Sequence, residues 1–132
     1  MKNNLNKKVI KDFGNEWKHY NQSNNIDLEL EKLFNNYFKI FPFKKINKQS
    51  EGFDMGCGSG RWAKFIAPKV KKINCIEPSI DALAIAKENL QDYDNCIFKN
   101  EDVMSNTIKN NTQDFGYCLG VLHHIPNTKL GL

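Results

Sequence analysis

Asp54 and the three glycines after it, Gly56, Gly58 and Gly60, give the stretch GFDMGCGSGRWAKF its chemistry. Glycine has no Cβ, so a ligand can approach the backbone there and the chain can turn with positive φ. Where such a stretch leads from a strand into a helix, free N–H groups and the positive helix end face the ligand. A plain tight turn would need the same glycines, so the neighbouring acids have to narrow the reading. The dinucleotide fingerprint places its third glycine three residues after the second, and Arg61 occupies that place here. This weakens a nicotinamide-dinucleotide reading. Glu77 follows at the end of the next expected strand, where a carboxylate accepts hydrogen bonds from both hydroxyls of a ribose. Asp54, just ahead of the loop, suits a cationic ligand such as an ammonium or sulfonium and would repel a pyrophosphate. Its alternative role is to accept N–H bonds from the loop itself. Together these residues indicate a nucleoside-bearing ligand.

Two further groups can be weighed. His123 and His124 could deprotonate a hydroxyl or amine near neutral pH; the competing reading is that they begin a helix, with one ring packed inward. Cys57, Cys75, Cys96 and Cys118 are far apart, with no C-x-x-C pair. Zinc and thioredoxin-like signatures are therefore missing, and the thiols read as reduced and mostly buried. No metal site is expected.

Short elements must hold these groups. The apolar positions Ile26, Leu30, Leu33, Phe34, Tyr37, Phe38 and Phe41 fit an amphipathic helix ended by Pro42, with Asp27 and Glu29 near its start. From Glu51 the rhythm changes. GFDMGC reads as a strand, GRWAKFIAP as a helix stopped by Pro68, KKINCIEP as a strand, and SIDALAIAKENL as a helix capped by Ser79. NCIFKNED and QDFGYCLG read as two more strands. Strands alternating with helices predict a parallel sheet, the doubly wound α/β class. The chain divides into a leader and amphipathic helix over 1–50 and an α/β unit over 51–132. In the leader, Phe13, Trp17 and Tyr20 stand at near-helical spacing and call for a surface to pack on.

Composition bounds the partners. The 132 residues suffice for one core, and 40% hydrophobic with 26% charged content is ordinary for a globular chain. The net charge of +4 comes from the first 50 residues, where lysine is diluted by asparagine; Arg61 is the sole arginine. Since arginine makes the bidentate phosphate and base contacts, this argues against a dedicated nucleic-acid binder. No secretory pattern and no run near the ~18 apolar residues of a membrane span is present, so a cytoplasmic location is expected.

In order along the chain, the motifs resemble those of class I S-adenosylmethionine-dependent methyltransferases of the small-molecule group. DMGCGSG resembles the acidic glycine-rich first motif, INCIEPS the second strand with its ribose acid, FKNEDV the third strand, and DFGYCLGVLHHIPNT the fourth strand and following loop. The resemblance implies a Rossmann-like domain, S-adenosylmethionine as cofactor and a small-molecule methyl acceptor. It implies that Gly56, Gly58 and Gly60 let the backbone approach the cofactor, that Asp54 orients its amino-acid end, and that Glu77 holds the ribose. Asp102 would accept from the adenine amino group, Val103 would offer its N–H, Leu119 or Gly120 would present a carbonyl to the ammonium, and Arg61 would meet the carboxylate.

The family's sheet has seven strands in the order 3-2-1-4-5-7-6, whereas this sequence carries motifs for four, in the order 3-2-1-4. The expectation is a truncated cofactor-binding half, marginally stable alone, whose fourth-strand segment YCLGVL forms an exposed edge able to self-associate. Two other classes stay in view: a fragment of an NAD-dependent oxidoreductase, and a non-catalytic partner-binding module built on the aromatic leader and the open edge.

Overall fold

The protein's structure, a computed structural model, describes residues 24–132; the leader aromatics Phe13, Trp17 and Tyr20 lie outside the described residues. Strands β1 (Glu51–Met55), β2 (Lys72–Ile76), β3 (Cys96–Lys99) and β4 (Phe115–Tyr117) form one parallel sheet in the order β3-β2-β1-β4. This is the doubly wound arrangement expected, preceded by a helix α1 (Asn24–Tyr37). Four of the five residues of β2, KINCI, are buried, as a strand between two other parallel strands should be when both sheet faces are covered.

A one-turn helix α2 (Ala63–Ile66) and a 3-10 turn (Ala67–Lys69) carry the chain from β1 to β2. The expected GRWAKFIAP helix is shorter because glycine turns occupy its start. Pro68 sits inside the 3-10 turn, where its missing N–H costs no helical bond. Helix α3 (Ile80–Asn89) returns the chain to β3, and Ser79 caps it by accepting the Ala82 N–H at 3.2 Å. Asp81 in the first turn complements the helix dipole.

Helix α1 ends at Tyr37, short of Pro42. The Phe38 N–H still reaches Phe34 O at 2.9 Å, but the Phe41 N–H bonds Phe38 O and tightens the chain ahead of the proline. Proline disfavours the α region for the residue before it, so the helix closes early. Phe34 and Phe38 are buried and their rings stack at 4.4 Å. Phe34 also stacks on Phe65 at 4.7 Å, and Phe38 meets Tyr117 edge-on at 5.0 Å. Each buried phenylalanine contributes roughly 1.5–3 kcal/mol. Helix α1 therefore shares the core of the sheet, in one buried cluster with Ile66, Ile73 and Leu83.

β1 and β4 are held by a reciprocal pair. Gly52 is the ladder partner of Phe115, and Phe53 that of Gly116. A Cβ on Gly52 would fall 2.3 Å from Phe115 Cζ, and one on Gly116 would fall 2.2 Å from Phe53 Cζ. Because neighbouring side chains on a strand point to opposite faces, each phenylalanine covers the other strand's glycine on its own face. The ladder stops at Asp54–Tyr117, where β1 breaks into the glycine turns. β4 is consequently three residues long, and Cys118 to Leu122 leave the sheet instead of extending the edge as YCLGVL had implied. Cys57, Cys75 and Cys96 are free and buried and Cys118 is half-buried, in line with the reduced-thiol reading. Among the described residues no helix is long and apolar enough to cross a membrane.

Candidate functional site

In a parallel sheet all strands end at one edge, and the predicted site residues gather at that edge here. The glycine loop follows β1, Glu77 follows β2, Asp102 and Val103 follow β3, and Leu119 and Gly120 follow β4. Between β1 and β4 the strand order reverses, and in open α/β sheets ligands bind beyond the carboxyl ends at such a switch point.

Backbone bonds fix the loop first. The Gly56 and Cys57 N–H groups both donate to Ile76 O, at 2.7 and 2.9 Å, and the Gly60 N–H donates to Cys57 O at 2.9 Å. Gly56 and Gly60 both have φ of 77°. Their missing side chains make room for this chain itself. A Cβ on Gly56 would lie 2.2 Å from Val121 Cγ2, and one on Gly60 would lie 2.6 Å from Leu90 Cδ1. Turning and internal packing thus require these two glycines, in addition to any ligand approach.

Glu77 is buried, with both oxygens engaged. Oε2 accepts the Gly58 N–H at 2.9 Å and Oε1 accepts the Ser79 N–H at 2.9 Å. Burial raises its pKa, and the Ser79 and Gly58 N–H groups counter part of that rise. A carboxylate has about four acceptor positions, so two further donors can still be taken. The acid is thus held in place with capacity remaining for a diol.

Asp54 is 1% exposed. Burial pushes its pKa up to about 7, with the Tyr117 hydroxyl lowering it, Glu77 raising it and Arg61 lowering it. Its Oδ2 has no hydrogen-bond partner among the described residues. The alternative role of tying down loop N–H groups therefore falls to Glu77 rather than to Asp54 Oδ2. Arg61 is half-buried with its guanidinium 4.5 Å from the Trp62 ring centroid, a cation–π contact at the loop exit.

Asp102 is half-buried and turns its Oδ1 onto the Met104 and Ser105 N–H groups, at 2.7 and 2.9 Å. It organises its own loop, and Asn106 Nδ2 ties the loop further by donating to Asp102 O and Val103 O. Leu119 packs against the core, while Gly120 is exposed with φ of 72° and no atom within 4 Å of a would-be Cβ. His123 and His124 lie in a 3-10 turn (Leu122–His124), with their rings 3.8 Å apart. They stand in a turn, not at the start of an α-helix. His123 is exposed and His124 half-buried.

Tyr117 was not anticipated. It is the ladder partner of Asp54 on β4, and the only local signal was a polar-tipped aromatic in an otherwise apolar strand. Among the described residues no group of three His, Cys, Asp or Glu side chains is placed to hold a metal ion.

A parallel 3-2-1-4 sheet with a glycine loop after its first strand and an acid after its second defines a Rossmann-like α/β domain. The chain belongs to the methyltransferase domain family, whose profile matches residues 53–131. No curated protein matches the chain. Among solved structures the YcgJ protein from Bacillus subtilis superposes with a TM-score of 0.66 at 17% identity, over 74% of this chain and 42% of its own. The [4+2]-cyclase SpnF gives 0.64 at 20% identity, over 76% and 37%. Phosphoethanolamine N-methyltransferase 1 from Haemonchus contortus, solved with phosphoethanolamine and S-adenosylhomocysteine, gives 0.62 at 16% identity, over 86% and 26%. At these identities the likeness is one of fold, and the chain spans less than half the length of each.

Proposed function

We propose that this chain is the cofactor-binding half of an S-adenosylmethionine-dependent methyltransferase acting on a small-molecule acceptor. The observation that carries the reading is Glu77, buried and aimed by the Gly58 and Ser79 N–H groups at the end of β2, beside the loop that ends β1. An acid so placed, with acceptor capacity left, fits a ribose diol. Asp54 fits the second half of the ligand, because a sealed carboxyl whose Oδ2 has no partner among the described residues gains from a cationic group beside it. Family membership and the S-adenosylhomocysteine held by the Haemonchus contortus enzyme support the same class of cofactor.

On this reading Glu77, aimed by the Gly58 N–H, holds the ribose, Asp102 and Val103 border the adenine, and Asp54 with the Leu119 or Gly120 carbonyl faces the ammonium. Arg61 meets the carboxylate. The cofactor would supply a methyl group already activated by the positive charge on sulfur. What the chain's own residues add is alignment and exclusion of water, which suffice for an in-line transfer. His123 and His124 are given no obligatory role as bases. Any self-association would run along β4, whose outer side has no strand partner among the described residues.

Calorimetric titration of the 132-residue chain tests the reading, with S-adenosylhomocysteine and NAD compared. Saturable heat with the former, lost in Glu77→Ala, is expected. Equal or stronger heat with NAD overturns it in favour of the oxidoreductase class.

A further inference from the structure

Asp54 and Tyr117 are direct partners across the β1–β4 ladder, so their side chains leave the sheet on the same face. Asp54 is 1% exposed and Tyr117 9%. Asp54 Oδ2 and the Tyr117 hydroxyl are both sealed from solvent, and neither has a hydrogen-bond partner among the described residues. Buried polar atoms left in that state are rare, and each such atom calls for a reason. The phenol cannot simply swing out to water. Phe38 holds its ring edge-on at 5.0 Å and 83°, and Phe41 at 6.4 Å and 89°. Confined on the face it shares with Asp54, the phenol has its pKa raised by burial first and by the Asp54 charge next, and it lowers that of the carboxyl in turn. The other titratable groups acting on or beside Asp54 are Glu77, Arg61 and the thiols of Cys57, Cys75 and Cys118. Of all these, Tyr117 alone carries a hydroxyl.

We propose that Tyr117 is a positioning residue for Asp54: held by Phe38 and Phe41, its hydroxyl donates to the anionic carboxyl and aims the remaining lone pairs at a ligand's cationic group. The inference deepens the cofactor reading above and rests on it for the identity of the ligand. It also gives the segment after α1 a part in the site, since Phe38 and Phe41 act on the acid through the tyrosine. A phenylalanine at 117 would fill the same space and donate nothing.

The test follows the Asp54 carboxyl carbon and the Tyr117 Cζ by 13C NMR in the full 132-residue chain as pH is raised. Because burial places the Asp54 pKa at about 7, both signals are expected to move through one shared midpoint near neutrality. In Tyr117→Phe the Asp54 midpoint rises by about one pH unit, the tenfold effect of losing one hydrogen bond to a charged group. S-adenosylhomocysteine affinity at pH ~7 falls roughly fivefold in that variant, as the ionised fraction of Asp54 does, and recovers above the new midpoint. A Tyr117 Cζ that stays still while Asp54 titrates overturns the proposal, as does an unchanged midpoint in Tyr117→Phe. If that variant does not fold, the shared midpoint in the wild-type chain decides alone. Coupled titration without S-adenosylhomocysteine binding at any pH upholds the pair and defeats the cofactor reading.

Discussion

Glu77 Oε2 accepts the Gly58 N–H at 2.9 Å, so the acid that ends β2 fixes the loop that ends β1. One carboxylate is both a strut of the fold and the group best placed to receive a ligand's hydroxyls. The two roles can be separated by mutation. Glu77→Ala leaves the buried Gly58 and Ser79 N–H groups without their acceptor and is expected to cost about 1–3 kcal/mol in denaturant unfolding. Glu77→Gln, which keeps an acceptor oxygen, should cost less while weakening S-adenosylhomocysteine binding nearly as much. Equal stability of the Ala variant and the wild type would show that Glu77 does not strut the loop.

Gly56 and Val121 make a second testable pair. Gly56→Ala adds a Cβ 2.2 Å from Val121 Cγ2 at a φ of 77°, so both a clash and left-handed backbone strain arise. The expected cost is about 1–3 kcal/mol, part of it steric and part conformational. Trimming the half-buried Val121 to alanine removes only the steric part. A double-mutant cycle should therefore show Gly56→Ala to be roughly 1 kcal/mol less harmful in a Val121→Ala background. Additive effects would mean that the loop shifts away from Val121 instead.

Asp54 predicts a pH dependence with a definite sign. Its folded pKa of about 7 lies above the ordinary 3.8, so between those values the folded state binds the extra proton. Stability arising from this group is present below the lower value and is lost as pH rises through the folded pKa. Asp54→Asn is always neutral and escapes that loss. Thermal or denaturant unfolding should thus show the variant gaining on the wild type as pH rises from about 4 to 7, with a plateau beyond, by a few kcal/mol at most. A difference that does not vary with pH would place the Asp54 pKa near its ordinary value.

The reciprocal covering of Gly52 and Gly116 makes β4 dependent on two rings. Phe115→Ala uncovers Gly52 and is expected to cost about 2 kcal/mol, less than a fully buried phenylalanine because Phe115 is only half-buried. Amide hydrogen exchange should quicken along β4 before it does in β2. Uniform acceleration across the sheet would contradict a local role for the pair.

Which of these relationships could be seen in the sequence depended on how far apart the partners lie. The Ser79 cap reaches Ala82, three residues on, and Glu77 sits where an apolar strand stops, so both were legible. The order 3-2-1-4 came with the family motifs, and the sheet has that order. Helix α1 ran short because its last apolar positions, Phe38 and Phe41, serve the core from a tightening turn, and periodicity cannot tell that from a continuing helix. β4 ran short because its partner strand bends at Gly56, a fact stored some 60 residues away from Cys118. For the same reason Tyr117 went unnoticed. Its pairing with Asp54 is a matter of register between two strands, which no window along the chain contains.

The most direct test of the central claim is the pattern of backbone amide shifts when S-adenosylhomocysteine is added to the 15N-labelled chain. A ribose on Glu77 and an amino-acid end at Asp54 predict saturable shifts centred on Gly56, Gly58, Gly60, Glu77 and Ser79, with smaller ones at Val103 and Gly120. Shifts confined to other surfaces, or none at saturating ligand, would contradict the assignment of this edge of the sheet as the cofactor site.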